Sequence, residues 1–114
     1  MAKICVLIPV LNEAHTIAMV VSSLRAQDLD VVVIDDGSTD DSGTIARRNG
    51  ATVIRHELKK GKGQSLRDGF RYALEHGYDG VITMDGDGQH DAADIGQFLQ
   101  LVVKERPGMV VGNR

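Results

Sequence analysis

The chain has 114 residues, 42% of them apolar and 25% charged, which at roughly 100 to 200 residues per domain makes one ordinary globular domain. Thirteen Lys and Arg against 16 Asp and Glu leave a net charge of −3, and there are four aromatics with no Trp; both facts speak against a nucleic-acid binder held by phosphate contacts and base stacking. The lone Cys5 cannot form an internal disulfide, no apolar run approaches a membrane span, and the start MAKIC lacks a signal-peptide cleavage region, so a cytoplasmic protein is expected.

Apolar runs of strand length alternate with segments of helical period, the pattern of βαβ units. Lys3 to Leu11 (KICVLIPVL) is nearly all apolar, as a strand buried on both faces should be. Asn12 is placed to cap a helix whose apolar positions are Ile17, Val20, Val21 and Leu24. Asp30 to Asp36 (DVVVIDD) reads as a second strand, and GSTDD as the turn and cap of a short helix from about Ser42 to Asn49 that Gly50 closes. Ala51 to Arg55 is a third strand. The basic, Gly-rich KKGKG leads into a helix with Leu66, Phe70, Ala73 and Leu74 on its core face, ended by Gly77. Gly80 to Met84 is a fourth strand, followed by DGDGQHD. A stripe of Ile95, Phe98, Leu99 and Val102 predicts a further helix that Pro107-Gly108 ends, and Met109 to Val111 begins a fifth strand. The expected fold is therefore α/β: a Rossmann-like open, mainly parallel sheet, here of five strands, with helices on both faces.

In such sheets ligands bind beyond the carboxyl ends of the strands. The polar residues cluster there: Asn12 and Glu13; Asp35, Asp36, Ser38 and Asp40; Lys59, Lys60 and Lys62; Asp85, Asp87, Gln89, His90 and Asp91; Asn113 and Arg114. Helix capping accounts for Asp40, Asp41, Asp91 and Asp94 without any ligand. Asp85 and Asp87 leave the strand before a cap position, and alternate residues of an extended segment point the same way, so both carboxylates and the Gln89 amide can converge on one hard cation. EF-hand, Walker and dinucleotide-binding spacings are absent. Lys62 at a helix start suits a phosphate, or simply a solvated loop. Asp36 can accept from a base N–H or a ribose hydroxyl, while an Asx turn is the competing role for Asp35. His15, His56 and His76 read as surface or helix-end residues, and His90 as a neighbour of the carboxylate pair. No Ser/His/Asp or Cys/His set is present in the pattern.

The segments IPVLNE, VVIDDGSTDDS, KGKGQSLRDGF, TMDGDGQHDAADI and VVGNR, in this order and spacing, resemble family 2 glycosyltransferases of the GT-A fold, above all the dolichyl-phosphate and polyprenyl-phosphate sugar transferases. The resemblance implies a nucleotide-sugar donor site spanning essentially the whole chain. By its pattern Pro9, Leu11 and Glu13 border base and ribose, Asp36 contacts the base with Asp35 behind it, and Gly86 lies near the ribose. Asp85, Asp87 and Gln89 hold Mg²⁺ or Mn²⁺ against the diphosphate of a UDP- or GDP-sugar, and Lys62 and Arg114 face phosphate oxygens. Gly86 stands where Ala is commoner, and Asn113 where Ser is. The implied reaction is inverting displacement at the anomeric carbon, with a lipid phosphate among the acceptors and hence a place at the membrane surface. The acceptor site and any general base are expected beyond Arg114. An open sheet edge near Arg114 would also favour pairing with a partner chain. Two other readings remain: a nucleotide-sugar binding module without turnover, and a haloacid dehalogenase-like phosphatase, which ITMDGDG also resembles but which lacks a suitable downstream acidic pair.

Overall fold

The computed structural model describes residues 3–84, together with the backbone of 101–105 and 108–110. In chain order the elements are β1 (Ile4–Val10), α1 (Ala14–Ala26), β2 (Asp30–Asp36), α2 (Ser42–Arg48), β3 (Thr52–His56), α3 (Lys62–Glu75), β4 (Gly80–Thr83), β5 (Leu101–Glu105) and β6 (Gly108–Val110). They form one sheet in the order β3-β2-β1-β4-β5-β6. The first four strands run parallel to one another.

The apolar run of β1 is central and buried on both faces, with Cys5 to Ile8 entirely shielded. Alternation then sorts its side chains. Val6, Ile8 and Val10 pack with Val31 and Val33 against α1 and Ala46 of α2, whereas Cys5 and Leu7 pack with Val32 and Ile34 against Ala73 of α3. Helices thus cover both faces, as expected. Burial pushes the Cys5 thiol up to about 12, with Asp30 adding to the effect, so the sulfur is an inert core atom. No helix among the described residues is long and apolar enough to cross a membrane.

Two expectations fail in ways that packing explains. Leu74 is 39% exposed; the buried stripe of α3 is instead Ser65, Gly69 and Ala73. Small residues let the helix lie close: a β-carbon at Gly69 would stand 3.0 Å from Ile34 Cδ1 and 3.1 Å from Leu7 Cδ1. The C-terminal part also differs, because Val102 lies not in a helix but in β5, which runs antiparallel to β4. β6 returns antiparallel to β5 with Glu105 opposite Gly108, so Met109 belongs to a hairpin strand and not to a fifth parallel strand. The β-branched pair Val102-Val103 suits an extended backbone. Ile95, Phe98 and Leu99 lie outside the described residues.

Candidate functional site

The neighbours of β1 are β2 on one side and β4 on the other, so the strand order switches direction at β1 and β4. Ligand crevices of open α/β sheets form at such a point. Pro9 widens it. Leu7 O accepts from Met84 N, and pairing of β1 with β4 ends at Leu7 and Thr83. Pro9, two residues on, faces the same side, where it has no N–H to donate to a ladder. Its other neighbour is Ile34 of β2. Leu11 and Glu13, both half-buried, continue from this end of β1.

Two loops are laced together beside the crevice. Asn12 adopts a left-handed backbone, φ 56°, which Asn tolerates better than most residues. Its Oδ1 accepts from Thr39 N at 2.9 Å and Asp40 N at 3.3 Å, and its own N donates to Ser38 Oγ at 2.9 Å. The expected helix cap is therefore a loop-to-loop tie instead. The start of α1 is served from the neighbouring loop: Glu13 N donates to Ser42 Oγ and Ala14 N to Asp40 Oδ2. Asp40 also accepts from Ser42 N and Ser42 Oγ. The Ser42 bonds, outweighing burial, hold its carboxyl below the usual range.

The adjacent carboxylates of β2 point to opposite faces. Asp35 is fully buried; its Oδ1 accepts from Ser38 N, three residues on, at 3.0 Å and so closes the turn after β2, and its Oδ2 meets Arg55 Nη1 at 2.6 Å. It lines an open cleft of about 540 Å³ with Gly43, Thr44, Arg47, Val53 and Arg55, a cleft that includes none of Pro9, Leu11, Glu13, Asp36 or Lys62. Asp36 turns to the α3 face and stays 4% exposed. Its Oδ1 accepts from Lys60 N at 2.8 Å and lies 2.8 Å from His56 Nδ1, and its Oδ2 accepts from Gly61 N at 2.9 Å. Burial would raise the Asp36 carboxyl, but the bonds from His56, Lys60 and Gly61 outweigh it and hold the group below the usual range. A carboxylate offers about four acceptor positions. Among the described residues three donors fill it, which leaves one position on Oδ2.

His56 is not the surface residue its place in the sequence suggests. It is 5% exposed and stands opposite Asp36 in the parallel register of β2 and β3. Its Nε2 lies 2.6 Å from Asp68 Oδ2, and Gln64 Nε2 donates to Asp68 Oδ1. The bond to Asp36 raises the imidazole above its ordinary value, against burial, with Asp68 adding to the rise. Burial would lift Asp68 too, but the His56 and Gln64 bonds and the charges of His56 and Arg71 hold it low. Three elements, β2, β3 and α3, thereby meet in one buried charged chain. The Gly-rich loop closes over it, with Gly61 at φ 99° starting α3 and Lys62 exposed as its first residue.

Asp85, Gly86, Asp87, Gln89, His90 and Arg114 lie outside the described residues. β4 does bring the chain beside β1 as far as Met84, one residue before Asp85. Among the described residues no group of three or more His, Cys, Asp or Glu could hold a metal. Ser65 Oγ, fully buried near the start of α3, has no hydrogen-bond partner among the described residues.

Residues 5–114 match the glycosyl transferase family 2 domain. The chain is 32% identical to an undecaprenyl-phosphate mannosyltransferase of Micrococcus luteus, over 98% of this chain and 48% of that protein. It is also 32% identical to a UDP-N-acetylglucosamine–dolichyl-phosphate N-acetylglucosaminyltransferase of Methanococcus voltae, over 97% of this chain and 51% of that protein. It thus spans about half the length of these curated relatives. Among solved structures it resembles glucosyl-3-phosphoglycerate synthase of Mycobacterium tuberculosis in complex with Mn²⁺, UDP and glucosyl-3-phosphoglycerate, with a TM-score of 0.66 and 30% identity over 86% of this chain and 40% of that one. The open, mainly parallel sheet with helices on both faces agrees with that likeness, and the chain belongs to glycosyl transferase family 2.

Proposed function

We propose that these residues form the donor-binding domain of an inverting, metal-dependent glycosyltransferase that takes a sugar from a UDP- or GDP-sugar to a polyprenyl or dolichyl phosphate, or to another acceptor. The observation that carries this reading is Asp36: a nearly buried, ionised carboxylate at the carboxyl end of β2, the strand beside β1, fixed by three bonds and, among the described residues, keeping one acceptor position. That suits a single base N–H or ribose hydroxyl. Pro9, Leu11 and Glu13 flank the crevice, and Lys62 at the start of α3 supplies a point charge for a phosphate oxygen, helped by the helix N-terminus. Asp35 acts behind this surface as the support of the DDGS turn.

Asp85, Asp87 and Gln89 offer the all-oxygen donor set that Mg²⁺ and Mn²⁺ prefer. A cation held there neutralises charge building on the departing diphosphate. Gly86 and Arg114 belong to the same donor site in this reading. The metal-bound UDP complex of the structural neighbour supports it, and the curated relatives support a polyprenyl phosphate acceptor and thus a peripheral position at a membrane.

A thermal-shift panel of UDP-, GDP- and dTDP-sugars with and without Mn²⁺ tests the proposal. One nucleotide should raise the melting temperature only with the metal. No shift with any of them sinks the donor-site reading. Binding without transfer to a polyprenyl phosphate would leave a binding module.

A further inference from the structure

We propose that His56 is a positioning residue for the donor site, a doubly protonated imidazole that ties Asp36 to Asp68 and so holds both the Asp36 carboxylate and the Lys60-Gly61 backbone in their binding arrangement. The inference rests on the donor-site reading of Asp36.

Both ring nitrogens face carboxylate oxygens, at 2.8 Å and 2.6 Å. A neutral imidazole has one donor and one acceptor nitrogen, so it would turn a lone pair toward one of two anions. With both carboxylates ionised, only the imidazolium satisfies both contacts. The charged groups acting on this centre are Asp36 from β2 and Asp68 from α3, with Arg71 of α3 acting on Asp68. The chain neighbour Arg55 is engaged on the other face by Asp35, and Glu57 lines the cleft there. The ring itself is buried, so water cannot replace a lost contact without an opening of the loop.

Deprotonation of His56 releases one of the two aspartates. When that is Asp36, the Lys60 and Gly61 amides that donate to it lose their fixed acceptor. Nucleotide binding should therefore weaken as pH rises through the raised His56 value. A side chain that merely filled space would produce no such profile. Asp68→Asn keeps an acceptor facing Nε2 but removes a charge that holds the proton, so it should move the profile to lower pH.

The test is calorimetric titration of the whole chain with UDP and Mn²⁺, from about pH 5 to about pH 9, beside NMR titration of the His56 ring and of the Lys60 and Gly61 amides without nucleotide. The expected result is UDP affinity falling about tenfold or more with the midpoint of the His56 ring, an earlier midpoint in Asp68→Asn, and a flat, weak profile in His56→Gln. Wild-type affinity and pH profile in a folded His56→Gln would overturn the proposal. If no nucleotide binds at any pH, the donor-site reading fails, and with it the role of His56 in binding. The amide titrations then still decide whether His56 holds the loop: resonances that move with the ring support that part, and resonances that ignore it overturn it.

Discussion

A β-carbon on Gly43 would stand 2.6 Å from Oδ2 of Asp35, so the glycine in the first turn of α2 is what makes room for a fully buried carboxylate. The room matters because Asp35 closes the turn after β2 through Ser38 and anchors Arg55 of β3. Gly43→Ala should force apart α2 and β2 and cost about 1–3 kcal/mol. Urea denaturation gives the number, and an unchanged midpoint with an unchanged slope would contradict this packing. Asp35→Ala in the same background should remove most of the extra cost, since the clashing atom is gone.

The buried chain Asp36, His56, Asp68 makes stability depend on pH in both directions. His56 titrates above its ordinary 6.5 in the folded state, so its contribution is complete below about 6.5 and is lost as pH rises through the folded value. Asp36 and Asp68 titrate below their ordinary 3.8, so theirs is present above that value and lost as pH falls through the folded values. Stability should be greatest between these limits. Urea midpoints that rise steadily from pH 6 to pH 8 (about the range where His titrates) would rule this out, and His56→Gln should flatten the alkaline side.

Lys62 begins α3 at the loop that closes on Asp36. Lys62→Ala should weaken UDP binding about tenfold and leave uridine binding nearly untouched, because only the diphosphate meets the charge. Calorimetry with both ligands decides. Equal losses would place Lys62 elsewhere.

For the metal, Asp87→Ala should abolish the effect of Mn²⁺ on UDP affinity, since one carboxylate and one amide make a poor site for a hard cation. Paired titrations with and without Mn²⁺ that still differ by the wild-type factor would remove Asp87 from the ligand set.

On the opposite face, Gly69→Leu should destabilise by about 1–3 kcal/mol, because Leu7 and Ile34 already lie against the glycine. Thermal unfolding measures it. A variant as stable as the parent would mean that α3 sits farther from the sheet.

The primary structure by itself determined the first four parallel strands, the three helices between them and the rim at which the polar residues collect, because apolar runs and turn residues act locally. It also carried the family, through five short motifs in register. Asp36 was legible as a candidate site residue because it ends an apolar strand and precedes a glycine. His56 was not: taken alone it closes a short strand, and its burial comes from Asp36, 20 residues earlier and opposite it in register, and from Asp68, a turn or two into α3. Val102 was misread because an apolar stripe of few residues fits a helix and a strand equally, and the choice fell to pairing with β4. Likewise Leu74 has the right period for the core, but the sheet accepts the thinner face of Ser65, Gly69 and Ala73. Only tertiary structure decided which of two neighbouring carboxylates supports the turn and which joins the buried chain with His56: strand alternation sends them to opposite sides, and the groups waiting there, Arg55 and Gly43 for Asp35, His56 and the Lys60-Gly61 amides for Asp36, come from distant parts of the chain.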